Sequence, residues 1–147
     1  MNAIRPAVAF LPAPLFARSD IVRRFLAWAQ RANEDERAEA ASALARAYLY
    51  SDLTPSLRNE AALAMTAQLD DPSALVRRAL AEALSGASEA PRHLILALAG
   101  DEPDVAAPVL QRSPVLTDAD LVDCAAVAGV IAQSALARRP DLSPGVA

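Results

Sequence analysis

The stretch Asp70–Ser85 reads DDPSALVRRALAEALS, and its punctuation decides the fold. Asp70, Asp71 and Pro72 stop one helix, and Ser73 opens the next. Leu75, Val76, Ala79, Leu80, Ala83 and Leu84 then recur on one side at helical spacing, with Arg77, Arg78 and Glu82 mainly on the other. A weaker copy of this start, DEPDVAAPVLQRSP, occupies Asp101–Pro114. Two similarly marked starts point to a repeated helical unit, and stacked units make a surface for binding.

The same alternation of apolar period and helix punctuation extends in both directions. Upstream, Ser19 and Asp20 read as the cap of a helix carrying Ile21, Phe25, Leu26, Trp28 and Ala29, with Trp28 as a core anchor. A second helix is predicted from Glu34 to about Tyr50, its acidic Glu34, Asp35 and Glu36 placed at the positive end of the helix dipole. Thr54 followed by Pro55 marks a third, running to about Leu69. Downstream, Pro91 opens RHLILALAG, with Gly100 as its closing glycine. Thr117 with Asp120 three positions on forms a variant capping box, and Gly129 is read as the end of that helix. VIAQSALARRPDLS supplies one more helix, and LSPGVA reads as the start of another.

The C-terminal half aligns with itself. Pro114 falls on Pro140, and Thr117 falls on Ser143 at the same offset. That offset also lays Val105, Val109 and Leu110 on Ile131, Ala135 and Leu136, and Arg112 on Arg138. Val76 and Leu80 join the series less tightly, falling on Val105 and Val109 at a slightly longer step. A unit of that length holds two short helices. Each unit can bury its apolar face only against its neighbours, so the expected architecture is all-α, an α-solenoid of stacked helix pairs.

The residues Asp71, Val76, Arg77, Ala81 and Leu84 resemble the pattern of a HEAT repeat. That resemblance implies a right-handed α–α superhelix of short antiparallel pairs, in which such Asp and Arg residues tie successive repeats together. A narrower resemblance lies in APRHLILALAGDEPDVAAPVLQRSPVLTDADL followed by ALARRPDLS, which is similar to the bacterial, mostly alphaproteobacterial, DUF2336 family. It covers about Asp70 to Ala147. It implies a HEAT-like fold and no established activity, and it breaks off within a repeat, as in a fragment of a longer protein. On this reading residues 1–18 are an apolar, Pro-rich arm, and residues 19–147 are one helical-repeat domain truncated in its last repeat.

Composition agrees with that picture. The 147 residues are 54% hydrophobic but only 4% aromatic, with 4 Gly and 11 Pro, which suits short alanine- and leucine-rich helices set off by prolines. The formal net charge of −4 argues against non-specific nucleic-acid binding, which needs a dense basic face. One cysteine, Cys124, and one histidine, His93, cannot build an intramolecular disulfide. Nor can they build a zinc site of four cysteines, or of two cysteines and two histidines. The N-terminal MNAIRPAVAFLPAPLFARSD faintly resembles a signal peptide, but Pro6, Pro12 and Pro14 break its apolar run, so it is read as an arm docked on the domain. No run reaches the ~18 apolar residues of a membrane span. A cytoplasmic protein is expected.

No catalytic constellation stands out. His93 has no nucleophile near it in sequence and is read as solvated or capping. Cys124, among Ala125, Ala126 and Val127, is read as a small buried apolar residue. The acid pairs Asp70–Asp71, Asp101–Glu102 and Asp118–Asp120 all sit at helix starts, where capping explains them without a metal. No cofactor is expected. The candidate binding residues are Arg77, Arg78, Arg112, Arg138 and Arg139, because equivalent positions in stacked units lie side by side and an arginine ladder holds acidic peptide, phosphate or nucleic acid. Against this stands their use on helix C-terminal carbonyls or neighbouring acids. The expected function is a non-enzymatic module that binds a protein partner in bacterial regulation or signalling, with self-association through the C-terminal end. The alternative is a nucleic-acid-binding, HEAT-like protein of DNA-glycosylase type using the arginine ladder.

Overall fold

A computed structural model describes the backbone of residues 13–140 and the side chains of residues 21–140. The described residues form eight α-helices and no strand: α1 (Ala13–Arg31), α2 (Glu34–Tyr50), α3 (Pro55–Gln68), α4 (Ala74–Leu84), α5 (Arg92–Ala99), α6 (Pro103–Arg112), α7 (Asp118–Val127) and α8 (Val130–Ala137). Most of the arm expected at residues 1–18, and the helix start expected at LSPGVA, lie outside the described residues.

The helix starts follow from local chemistry. Thr54 Oγ1 accepts from the Leu57 amide at 3.2 Å, with Pro55 at the first helical position, where its missing N–H costs nothing. Thr117 and Asp120 form the expected box: Thr117 Oγ1 accepts from the Asp120 amide, and Asp120 Oδ2 accepts from the Thr117 amide. A second capping box, Asn33 with Glu36, opens α2. Sequence reading credited that start only to its acids.

Two local expectations are corrected, and two more gain detail. Ser19 and Asp20 lie inside α1, which begins at Ala13; Pro14 then sits in the first turn, where helices tolerate proline. Gly129 precedes α8 as its cap residue, and α7 has already ended at Val127. Gly100 does close α5, but with φ −94° and ψ 1°, outside the left-handed region that favours glycine. Ser73 is the cap residue of α4, but its side chain accepts no amide hydrogen bond there; its hydroxyl donates to Glu34 Oε2 at 2.7 Å and so links α4 to α2.

Packing follows a simple order. α1 lies against α3, and α2 against both α3 and α4. α4 then packs on α6 and α6 on α8, with α5 against α6. So α2, α4, α6 and α8 succeed one another in a continuous chain of contacts. α2 contributes Ala41 and Ala45, both fully buried, and alanine permits close helix approach. α4 contributes Val76, Leu80, Ala81 and Leu84, spaced to form one stripe. Leu75, expected on that stripe, is 45% exposed. α6 buries Val105, Val109 and Leu110, and α8 answers with Ala132, Ala135 and Leu136. Trp28 is half-buried beside Phe25, ring centres 5.7 Å apart, and does not belong to the central core cluster. Among the described helices, α1 packs chiefly against α3.

Candidate functional site

The structure gives the five candidate arginines four different settings. Arg77 is the fourth residue of α4. Its Nε and Nη2 donate to the two carboxylate oxygens of Asp101 at 2.9 and 3.3 Å, Nη2 also reaches Glu102, and Nη1 donates to the Asp71 carbonyl at 2.6 Å. Hydrogen bonding to Asp101 raises the guanidinium pKa above its ordinary value. Arg78, the next residue, is exposed and meets only Glu82, at 3.6 Å within its own helix. Arg139 is buried. Its Nη1 and Nη2 donate to the carbonyls of Leu110 and Ser113, at 2.8 and 2.6 Å, closing the C-terminal end of α6. Arg112 and Arg138 are exposed, at the C-terminal ends of α6 and α8.

Two residues that sequence reading did not single out complete the pattern. Arg37, the fourth residue of α2, donates to both oxygens of Asp71 at 2.8 and 3.2 Å and to the Ala32 carbonyl. Asp71 thus receives Arg37 from α2, while its carbonyl receives Arg77 of α4, which passes on to Asp101. The clasp is built twice, with an arginine at the same helix position each time. Arg92 of α5 makes a third link, bidentate to Asp120 of α7 at 2.9 Å on both arms, and it also reaches the Val115 carbonyl at 3.3 Å. Arg92, then the Thr117 bonds, hold the Asp120 carboxyl at about 2, down from 3.8. The signal that locates Arg37 is alignment of helix starts: Asn33 on Ser73 places Arg37 on Arg77.

His93 is exposed and bonded to Thr66 of α3, Nε2 to Oγ1 at 2.9 Å. Thr66 Oγ1 already donates its one hydrogen to the Ala62 carbonyl, so His93 must donate, which fixes its proton on Nε2. Cys124 is half-buried. Burial first, then Asp120 and Asp123, push its thiol pKa up, the reverse of an activated nucleophile. Among the described residues, no three His, Cys, Asp or Glu side chains gather as a metal site requires.

One surface remains open. Arg92 and Asp120 tie α5 to α7 near their N-terminal ends. Toward their C-terminal ends the two helices line a groove of about 380 Å³, open to solvent. Leu96 and Gly100 form one side, Asp123, Cys124 and Val127 the other, and Ala106, Leu110 and Ala132 of α6 and α8 the floor. The apolar rim is exposed: Val127 is 86% accessible, and Val130 and Ile131 follow it past the turn, at 80% and 55%.

These features define an all-helical protein whose elements are linked by repeated arginine clasps and which presents an apolar groove near its C-terminal end. Residues 105–147, covering most of α6, α7, α8 and the segment beyond, match the model of DUF2336, an uncharacterised protein family conserved in bacteria. The resemblance expected from about Asp70 is thus supported from Val105 onward. No curated protein and no solved structure matches the chain. None of the described helices is long and apolar enough to cross a membrane.

Proposed function

We propose that this chain is a non-enzymatic helical-repeat module that binds a protein partner in the bacterial cytoplasm, in regulation or signalling. The observation that carries the reading is the reach of its polar links. The side-chain bonds described above that join separate helix pairs span 23 to 39 residues, about one repeat. Each unit is therefore tied to its neighbours, as in a right-handed HEAT-like superhelix of antiparallel pairs. Such an array builds extended surface. Two of the five arginines that a nucleic-acid ladder would need are spent, Arg77 on two acids and a carbonyl and Arg139 on the end of α6, which leaves Arg78, Arg112 and Arg138 exposed in a chain of net charge −4. Catalysis by His93 or Cys124 finds no support in the Thr66 bond of the one or the raised pKa of the other.

The test is chemical crosslinking of the tagged chain in native-host lysate, with and without nuclease. Protein adducts that survive nuclease treatment are expected. Adducts that nuclease removes would overturn the reading in favour of nucleic-acid binding.

A further inference from the structure

The groove between α5 and α7 differs from the rest of the surface in chemistry as well as shape. Its walls and floor are aliphatic, and no Lys, Arg or His lines it. Its two charged side chains are both acids, Asp101 and Asp123. Asp101 is neutralised by Arg77. Asp123 is exposed and makes no ion pair or hydrogen bond among the described residues, so it presents an uncompensated negative charge beside the apolar wall. The exposed strip from Val127 to Ile131 carries the apolar surface beyond the groove, further than a small ligand would require.

Resting on the reading of the chain as an interaction module, we propose that this groove takes an apolar segment of a partner protein that carries a basic side chain for Asp123. Leucine-sized side chains fill the space over Ala106, Leu110 and Ala132, and extend contact to Val127. A lysine or arginine at the edge meets Asp123. An acidic partner of equal apolarity is repelled, so the carboxylate selects among hydrophobic segments that the groove alone would accept.

The probes are two short synthetic helical peptides with leucines at i, i+3, i+4 and i+7, one flanked by lysines and one by glutamates. The chain has 4 glycines, two of which, Gly100 and Gly129, line the groove. Their amide NMR signals report on it directly, with Gly86, outside the groove, as control. Cys124, the single cysteine, gives a second readout through its rate of reaction with a disulfide reagent at alkaline pH. The lysine-flanked peptide is expected to shift Gly100 and Gly129 but not Gly86. At ten times its Kd it slows the thiol reaction about tenfold, since only free protein reacts. Asp123→Lys should reverse the preference between peptides. Equal binding of both peptides, or of neither, overturns the proposal. So does protection that grows with protein concentration in the absence of peptide, which would assign the groove to a second copy. If the peptides fail while nuclease-resistant protein adducts still form in lysate, the groove assignment alone falls. If both fail, the interaction reading falls with it.

Discussion

At the scale of the residue, Gly100 and Asp120 show how local chemistry and tertiary context divide the work. A glycine ending a helix suggests a left-handed cap, yet Gly100 has an ordinary negative φ, and a Cβ there would stand 3.7 Å from the nearest carbonyls. Gly100→Ala should therefore stabilise the fold by about 0.4–1 kcal/mol, mainly by restricting the unfolded chain, as denaturant titration will show. Asp120 was legible as a capping residue because its partner Thr117 is three positions away. Its second role was not, because Arg92 lies 28 residues upstream and nothing between them marks the pairing. That role sets a pH dependence. The folded carboxyl titrates at about 2 against an ordinary 3.8, so the stability it contributes is present above about 4 and lost as pH falls toward 2. Asp120→Asn should melt below the wild-type protein at neutral pH. The gap should close between pH 4 and pH 2, measured as melting temperature by circular dichroism.

At the scale of the element, α2 and α4 share a design that their sequences disguise. Each has a clasping arginine as its fourth residue, yet the step from Glu34 to Ala74, where they start, is longer than the step from Ala74 to Pro103, where α6 starts. The step is longer because α2 and α3 are longer helices than α4 and α5, and that is why a single offset aligned only the C-terminal half. The type and limits of α2, α3 and α4 were readable almost to the residue, since apolar period and caps are local signals. The partner of the Ser73 hydroxyl was out of reach for the opposite reason: it is Glu34, 39 residues away. The clasp and its neighbour should separate cleanly under mutation. Arg77→Ala strands Asp101 and the Asp71 carbonyl in a mostly buried setting and should cost about 1–3 kcal/mol. Arg78→Ala breaks only an exposed contact within one helix and should cost less than about 0.5 kcal/mol. Equal losses in urea titrations would show that the clasp does not hold α4 to Asp101.

At the scale of the whole molecule, α2, α4, α6 and α8 succeed one another in contact, α5 adds Leu94, Ile95 and Leu98 to the same core, and α5 and α7 leave a groove between them. Sequence periodicity announced the helices but could not reveal the groove. A groove is a failure of two elements to meet, and no residue encodes it alone. Of the apolar residues of α8, Ala135 and Leu136 are buried while Val130 and Ile131 are exposed beside the groove. The central claim is that this surface holds a protein segment selected by Asp123. The most direct test places a photo-crosslinking amino acid at Val127 and irradiates native cells, with and without Asp123→Lys. The account predicts a protein adduct whose crosslinked peptide combines apolar residues with a nearby lysine or arginine, and which is lost in the Asp123→Lys background. A nucleic-acid adduct, an adduct with a second copy of the chain, or a protein adduct indifferent to Asp123→Lys would contradict it.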